Sequence, residues 1–471
     1  MQTIIHNYIE HHKDEMLKTL KELIKIPSFR GEPEENAPFG KACKDIIDYT
    51  KALYEKNGFE TQIDYEGGYL LSCYGNGDKS LGLFAHADVV APGENWILTT
   101  PFNPIEKDGF LIGRGSIDDK SAIVMSLYIA KMLKELKISF NSKLVCFTGA
   151  NEETGMEDIK NYLKKHTPPD FSLVVDTAFP LYIGNKGVVR AMAKLKAPLS
   201  CFKDFSGGDA PNAMLGKATA TLEFSENLYS YLKKNESENI SVSKNDNEII
   251  ITAIGVAKHA AIPEGSLNAG YLIADMLKDC EYIQENDKKQ LNFMSELLKG
   301  YYGEALGIEH FDPNFGKLTF VNGIVRMDNK CLTLSLNIRY GSTVNIDEVL
   351  CTIKEKMEKM NWEVDVTSVT PAHLTPKDNP YIQKCLNVFT GYTKWENAPL
   401  RINAGGTYAQ RLPVAAEIGT RYNEPKNSFN LPRGHGNVHE PDEMLYIDSF
   451  YKATEIAALM LIECDKEEEL S

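Results

Sequence analysis

The sequence predicts an α/β protein in which a domain with a mainly parallel sheet is interrupted by an inserted α+β domain. Residues 1–184 alternate short apolar runs with helical patterns, as is typical of a parallel sheet covered by helices. Residues 185–380 change to alternating strands, and residues 381–471 return to helices and a Gly-rich loop. A chain of 471 residues also exceeds one ordinary core, so two domains are expected.

Three apolar runs in the first part are predicted to be buried strands, and each ends in His, Asp or Glu. Between the first two, residues 121–136 are almost continuously apolar over the length of a buried crossover helix. Because ligands bind at the carboxyl ends of strands in open α/β sheets, the polar residues that follow the runs are expected to share one site. The runs are LGLFAHAD at 81–88, KLVCFTGANEE at 143–153 and SLVVD at 172–176.

The inserted part has a different pattern of apolar residues. In CLTLSLNIRY, at 331–340, apolar and polar residues alternate strictly, which predicts a strand with one buried and one polar face. Residues 245–256 and 361–369 are also predicted strands, and helical stretches separate them. The residues after 380 are expected to complete the first domain.

Composition and charge exclude several classes of protein. The chain is 43% hydrophobic and 25% charged, which predicts a globular fold. A net charge of -15 without a basic run argues against a nucleic-acid partner, and no apolar run approaches the roughly 20 residues that span a bilayer. Scattered cysteines and an amphipathic N-terminal helix in place of a signal peptide predict a cytoplasmic protein. The acidic residues 465–471 are expected to be a solvated terminus.

Five short motifs carry the residues that are suited to chemistry. Taken singly, each is more often structural or solvated. Taken together and in order, they resemble the pattern of the M20 metallopeptidases, and the long insert with the IDDK and NEET variants resembles the PepV-like bacterial dipeptidases of that family. The motifs are FAHADVV at 84–90, GRGSIDDK at 113–120, GANEETG at 149–155, VVDT at 174–177 and NVHEPDE at 437–443.

The resemblance implies a zinc-peptidase-like catalytic domain with an inserted lid domain and two Zn²⁺ ions, with Mn²⁺ or Co²⁺ as alternatives. Zinc binds imidazole and carboxylate ligands, and paired ions lie about 3.5 to 4 Å apart when a carboxylate bridges them. By resemblance, Asp118 is the bridge. His86 and Asp176 then complete one site, and Glu153 and His439 complete the other.

Two further carboxylates have implied roles beside the metal ligands. Adjacent side chains on an extended or turning chain point in different directions, so Glu152 is expected to leave coordination to Glu153 and to act as the general base. Asp88 resembles a carboxylate that accepts the N–H of the His86 imidazole and orients it. The resemblance also implies a cis peptide bond between Asp118 and the next residue.

The inserted domain and the Gly-rich loop supply the remaining candidates, all of them by resemblance. The implied role of His259 is donation to the oxyanion of the tetrahedral intermediate, and that of Arg339 is binding the substrate carboxylate. Asn212 resembles a residue that contacts substrate. The loop NAGGTYAQ resembles the substrate loop of the family, which gives the candidates Gly405, Gly406 and Thr407.

The resulting expectation is a monomeric di-zinc dipeptidase that hydrolyses unblocked dipeptides with a free C-terminus. An aminoacylase, carboxypeptidase or desuccinylase of the same family is the alternative, because such enzymes share these ligands. A metal-binding protein that has lost activity is a further alternative. The presence of Glu152 and Asp88 argues against that last possibility, since neither is needed to hold a metal.

Overall fold

The computed structural model describes residues 1–466 and divides into two compact units. A discontinuous unit comprises Met1–Asn185 and Leu374–Ser471, and an inserted unit comprises Lys186–His373. The inserted unit ends ahead of the expected boundary at 380, because the amide of Thr375 already donates to the carbonyl of Ile183 in the discontinuous unit, at 2.8 Å. The last residues of the acidic tail, 467–471, lie outside the described part.

Helices and strands follow one another along residues 1–466, and their labels follow chain order. The α-helices are α1 (Gln2–Ile24), α2 (Lys41–Lys56), α3 (Lys120–Glu135), α4 (Glu157–Lys165), α5 (Glu226–Lys234), α6 (Ala269–Leu277), α7 (Glu285–Lys299), α8 (Ile346–Lys359), α9 (Pro380–Thr393) and α10 (Ile447–Asp465). The strands are β1 (Glu60–Asp64), β2 (Tyr69–Tyr74), β3 (Ser80–His86), β4 (Ile105–Lys107), β5 (Phe110–Ile112), β6 (Lys143–Gly149), β7 (Phe171–Val175), β8 (Tyr182–Asn185), β9 (Gly187–Leu195), β10 (Phe202–Gly207), β11 (Lys217–Glu223), β12 (Ile240–Asn245), β13 (Glu248–Ile254), β14 (Phe311–Asp312), β15 (Gly316–Lys317), β16 (Thr319–Val321), β17 (Val325–Asp328), β18 (Cys331–Tyr340), β19 (Trp362–Thr370), β20 (His373–Leu374), β21 (Arg401–Asn403), β22 (Ala415–Ile418) and β23 (Met444–Tyr446). Among these helices, none combines the length and apolarity needed to cross a bilayer.

The discontinuous unit is built on a sheet with parallel centre and antiparallel edges. The strand order is β1-β2-β6-β3-β7-β22-β8-β20, and β21 pairs with β8. The central pairs β3–β6, β3–β7 and β7–β22 are parallel, whereas β1–β2, β2–β6 and β8–β22 are antiparallel. His86 lies opposite Gly149 in the register, so the carboxyl ends of β3 and β6 meet at one edge. The predicted α/β class is confirmed, and the parallel strands that were expected form the centre of the sheet.

Helix α3 is the crossover helix expected after the second motif. Because its residues are apolar on almost every side, it is buried along nearly its whole length, and it packs against β3, α1 and α10. A small sheet of β23, β5 and β4 joins the segment before α3 to the segment before α10. In this sheet Met444 pairs with Ile112, which brings the GRGSIDDK and NVHEPDE segments side by side.

The inserted unit has an antiparallel sheet of order β12-β13-β11-β10-β17-β18-β9-β19, with β16 paired to β18. Helices α6 and α7 pack together, α6 lies on β11 and β13, and α8 lies on β19. The prediction that one face of β18 is polar and open is wrong from Ser335 onward, because Ser335 and Asn337 are buried. The segment between β16 and β17 contributes to this burial, since it runs along the edge of β18 and the amide of Ile324 donates to Ser335 Oγ at 2.9 Å.

Candidate metal centre

The first group of potential ligands is organised around His86 at the end of β3. Its Nδ1 lies 2.9 Å from the backbone carbonyl oxygen of Asp88. A carbonyl can only accept, so Nδ1 carries the proton and Nε2 presents its lone pair. That nitrogen lies 2.9 Å from Asp118 Oδ1 and 3.6 Å from Asp176 Oδ1. The three side chains therefore direct one nitrogen and two oxygens at a common point.

The second group shares Asp118 with the first. His439 Nε2 lies 3.0 Å from Asp118 Oδ2 and 3.2 Å from Glu153 Oε2. Asp118 thus offers one carboxylate oxygen to each group, and within each group the potential ligand atoms lie within 4.8 Å of one another. The peptide bond after Asp118, to Asp119, is cis.

Buried atoms without hydrogen bonds indicate that these groups suit cations. Among the described residues, His86 Nε2, Asp118 Oδ1 and Glu153 Oε1 are buried and make no hydrogen bond. Such atoms are costly to bury unless something binds them, and a divalent cation would do so. Two imidazoles with three carboxylates are a donor set that zinc accepts.

The electrostatics of the cluster point the same way. Hydrogen bonds to the carboxylates of Asp118 and Glu153 raise the pKa of His439 to about 10. Burial and the charge of Asp118 raise the pKa of Glu153 to about 7. Burial acts to raise the pKa of Asp118 as well, but the two neighbouring imidazoles lower it overall. The carboxylates thus require positive charge nearby. Protons can supply this charge, and bound metal ions would displace them.

Asp88 fixes the turn that carries Glu152 and Glu153. Its Oδ1 accepts the amide of Glu152 and its Oδ2 accepts the amide of Glu153, each at 3.1 Å. The carboxylate is 3.5 Å from His86 Nδ1, farther than the backbone carbonyl at 2.9 Å. Asp88 therefore orients the imidazole through its main chain, where the sequence suggested its carboxylate.

Glu152 lies beside the ligand groups and belongs to neither of them. It is half-buried, and its Oε1, which is shielded from solvent, makes no hydrogen bond among the described residues. Burial first, and then the negative charge of Asp176, raise the pKa of Glu152 well above its ordinary value. A carboxyl with a raised pKa is suited to accepting a proton and returning it. Its role as the base remains a prediction.

Sequence reasoning missed Glu443, which holds the loop of Asp118. The carboxylate is completely buried, with Oε1 accepting the amides of Ile117 at 2.8 Å and Asp118 at 3.1 Å. Its Oε2 accepts the amide of Gly115 at 3.0 Å and Arg114 Nη1 at 2.7 Å. The available signal was an extra acid in the same motif as His439 and a lone arginine in the motif of Asp118.

The Gly-rich loop is organised by a second buried acid, Glu417. Its carboxylate accepts from Asn185 Nδ2 and Thr407 Oγ1, each at 2.5 Å, and from Asn403 Nδ2 at 3.1 Å. The Thr407 hydroxyl is thus directed into the protein, whereas the sequence suggested a substrate contact. A Cβ at Gly406 would lie 2.3 Å from Gln410 Oε1, so the end of the Gln410 side chain would have to move to admit one.

Gly405 and the candidates of the inserted unit complete the set. The carbonyl of Gly405 accepts from Asn185 Nδ2 at 3.4 Å. In the inserted unit, exposed Asn212 and exposed His259 lie on adjacent segments, since the amide of Ala260 donates to the carbonyl of Asn212 at 2.8 Å. Arg339 is buried, and its Nε donates to Asn337 Oδ1 at 2.9 Å. The roles of these residues remain predictions.

Comparisons with known proteins agree with this geometry. Residues 82–463 match the model of "Peptidase family M20/M25/M40". A Staphylococcus saprophyticus protein named "Putative dipeptidase" is 25% identical, covering 95% of this chain and 96% of the relative, and one of Staphylococcus haemolyticus with the same name is 24% identical over the same shares. Human carnosine dipeptidase 1 superposes with a TM-score of 0.58 at 14% identity, covering 98% of each chain. The Saccharomyces cerevisiae dipeptidase Dug1p has a TM-score of 0.56 at 14% identity, covering 100% of this chain and 99% of its own. These structures share the fold.

Proposed function

Because the chain belongs to peptidase family M20/M25/M40 and is a metal-dependent hydrolase, we propose that it hydrolyses unblocked dipeptides at a pair of zinc ions. The observation that carries the proposal is Asp118, whose two carboxylate oxygens face different groups of potential ligands. His86 and Asp176 would hold one ion with it, and Glu153 and His439 the other. Bound there, the ions would supply Lewis-acid chemistry that polarises the scissile carbonyl and acidifies water.

The protein's own groups would move the protons. We assign Glu152 to take a proton from the attacking water and to deliver it to the leaving amine. Its position supports this, since Asp88 fixes the backbone of Glu152 and of Glu153 through separate carboxylate oxygens. In this proposal Glu152 transfers protons and Glu153, the next residue on the same turn, binds metal.

The candidates of the inserted unit belong to the same proposal. We assign His259 to the oxyanion, Arg339 to the free C-terminal carboxylate of the dipeptide, and Asn212 to a substrate contact. The support is the resemblance of their motifs and, for Arg339, a buried guanidinium that Asn337 already orients. We also propose a monomer that works in the cytoplasm, where free thiols such as its nine cysteines stay reduced.

A substrate panel tests the proposal. The protein is stripped of metal with a chelator, reloaded with Zn²⁺, Mn²⁺ or Co²⁺, and assayed on dipeptides, amidated dipeptides, tripeptides and N-acyl amino acids. Unblocked dipeptides should be the best substrates, and amidated ones should be rejected, because they would leave buried Arg339 without its carboxylate. Efficient cleavage of N-acyl amino acids or tripeptides, with dipeptides poor, would replace this proposal by an aminoacylase or carboxypeptidase.

A matched pair of variants tests the roles of the two adjacent acids. Glu152→Gln should retain two metal ions per chain and lose at least about 10²-fold in kcat, the low end for general acid–base catalysis. Glu153→Gln should lose metal affinity instead. Metal content by elemental analysis separates the two variants, and loss of metal from Glu152→Gln alone would show that their roles are exchanged.

A further inference from the structure

A cavity of about 260 Å³ lies beside the two ligand groups within the discontinuous unit. Its lining includes Asp118 and Asp176, both of them candidate ligands, so a molecule in this cavity reaches the metal centre directly. The remaining polar side chains in the lining are those of Asp119, Thr177, Tyr182, Asn403, Thr420 and Arg421.

Arg421 is the one basic side chain in that lining. Within residues 1–466 its guanidinium makes a single hydrogen bond, from Nη1 to Glu424 Oε2 at 3.4 Å, and this contact is also an ion pair between two partly exposed side chains. Glu424 is itself held, because its Oε1 accepts from the amide of Tyr446 and from Ser449 Oγ, each at 3.3 Å. A guanidinium has five N–H donors, so this contact orients Arg421 and leaves most of its donors for a ligand.

The acids of the lining do not compete for Arg421. Asp118 and Asp176 are candidate metal ligands, so bound cations would balance their charges. Asp119 is buried, and its Oδ2 accepts the amide of His86 at 3.2 Å. Most of the other polar side chains are also engaged: Thr420 Oγ1 accepts from Ser121 Oγ at 2.9 Å, and Asn403 is tied to Glu417. Arg421 is therefore the charge that the cavity offers to a substrate.

We propose that Arg421 determines specificity by binding the side-chain carboxylate of an Asp or Glu residue, so that acidic dipeptides are the preferred substrates. This rests on the proposed dipeptidase function. The planar guanidinium is suited to binding a carboxylate through two parallel hydrogen bonds. Arg339 is already assigned to the terminal carboxylate, so a second arginine beside the metal ligands implies a second carboxylate on the substrate.

Matched pairs of dipeptides test the proposal, namely Glu-Ala with Gln-Ala and Ala-Glu with Ala-Gln. The wild type should prefer the acidic member of at least one pair by about 10- to 100-fold in kcat/KM, the range for a hydrogen bond to a charged group, and mainly through KM. Arg421→Gln should bring that ratio within about 3-fold, because it lowers kcat/KM chiefly on the acidic member. Arg421→Lys should retain part of the preference. Exposed Arg433, in the same connection between β22 and β23, gives the control Arg433→Gln, which should match the wild type.

Two results would overturn the role of Arg421. One is a wild-type ratio near 1 for both pairs. The other is an Arg421→Gln variant that loses activity equally on the acidic and the amide peptides, which would mean that Arg421 binds the terminal carboxylate.

A binding measurement separates this inference from the dipeptidase proposal. Calorimetry with zinc-loaded protein should show L-glutamate binding at least about 10-fold more tightly than L-glutamine, and Arg421→Gln should abolish the difference. If no dipeptide is cleaved while this preference persists, the proposed function fails and the role of Arg421 stands. If the two amino acids bind equally to the wild type, the role of Arg421 fails whatever the enzyme hydrolyses.

Discussion

Replacing Glu443 by Gln should loosen the loop that carries Asp118. The carboxylate receives four hydrogen bonds, three from backbone amides and one from Arg114. An amide side chain has one oxygen, so whichever way it faces, one pair of donors meets an NH₂ group. Breaking a completely buried ion pair costs about 3 to 5 kcal/mol, because the remaining partner stays buried without compensation. We expect Glu443→Gln to lose stability in that range.

Two measurements check this expectation. Urea unfolding of Glu443→Gln, Arg114→Met and the double variant gives a double-mutant cycle. The double variant should lose about 0.5 to 3 kcal/mol less free energy of unfolding than the two single variants lose together. Hydrogen exchange at the amides of Gly115, Ile117 and Asp118 should accelerate in Glu443→Gln. Additive stabilities together with unchanged exchange at these amides would refute the argument.

Three further predictions follow from the site. Asp88→Asn should weaken metal affinity or activity by roughly 10- to 100-fold, because the single oxygen of an amide cannot replace both carboxylate oxygens that accept the amides of Glu152 and Glu153. Chelator competition measures the metal affinity. Wild-type affinity and activity in this variant would show that Asp88 does not support the site. Burial raises the pKa of Glu417 to about 7 from 4.5, so the stability it contributes is present below pH 4.5 and is lost as the pH rises through 7. Between pH 4.5 and pH 8 the free energy of unfolding should therefore fall by roughly 3 kcal/mol less in Glu417→Gln than in the wild type, as measured by denaturant unfolding. Parallel pH profiles for the two proteins would contradict this. Mixing His259→Ala with Glu152→Gln chains should restore no activity if the protein is a monomer, whereas recovery would show that His259 serves a partner subunit.

The sequence alone predicted those features that depend on local pattern. The run at 121–136 predicted helix α3, observed as Lys120–Glu135, because continuous apolarity over that length suits a buried crossover helix. Strand ends predicted the meeting of β3, β6 and β7, since parallel strands place their carboxyl ends at one edge. The family pattern then predicted which of the residues at that edge face one another.

Contacts between distant segments were beyond the sequence. Glu443 and Glu417 look like ordinary acids in a loop and a strand, and their burial depends on Arg114 and on the Asn and Thr donors that the fold brings to them. The polar face of β18 was predicted to be open for the same reason, because nothing local reveals that the segment between β16 and β17 donates an amide to Ser335. A polar side chain can be buried when the fold supplies a hydrogen-bond or ion-pair partner for it, and that partner comes here from a distant segment.

The order of the ligands along the chain bears on how the enzyme is made. His86, Asp118 and Asp176 leave the ribosome before the inserted unit, whereas His439 and Glu443 leave after it. During translation the first ligand group is complete while the second still lacks its histidine and the Asp118 loop still lacks its carboxylate support. A nascent or truncated chain that stops short of His439 therefore lacks one member of the second candidate ligand group, and the proposed paired centre would be incomplete.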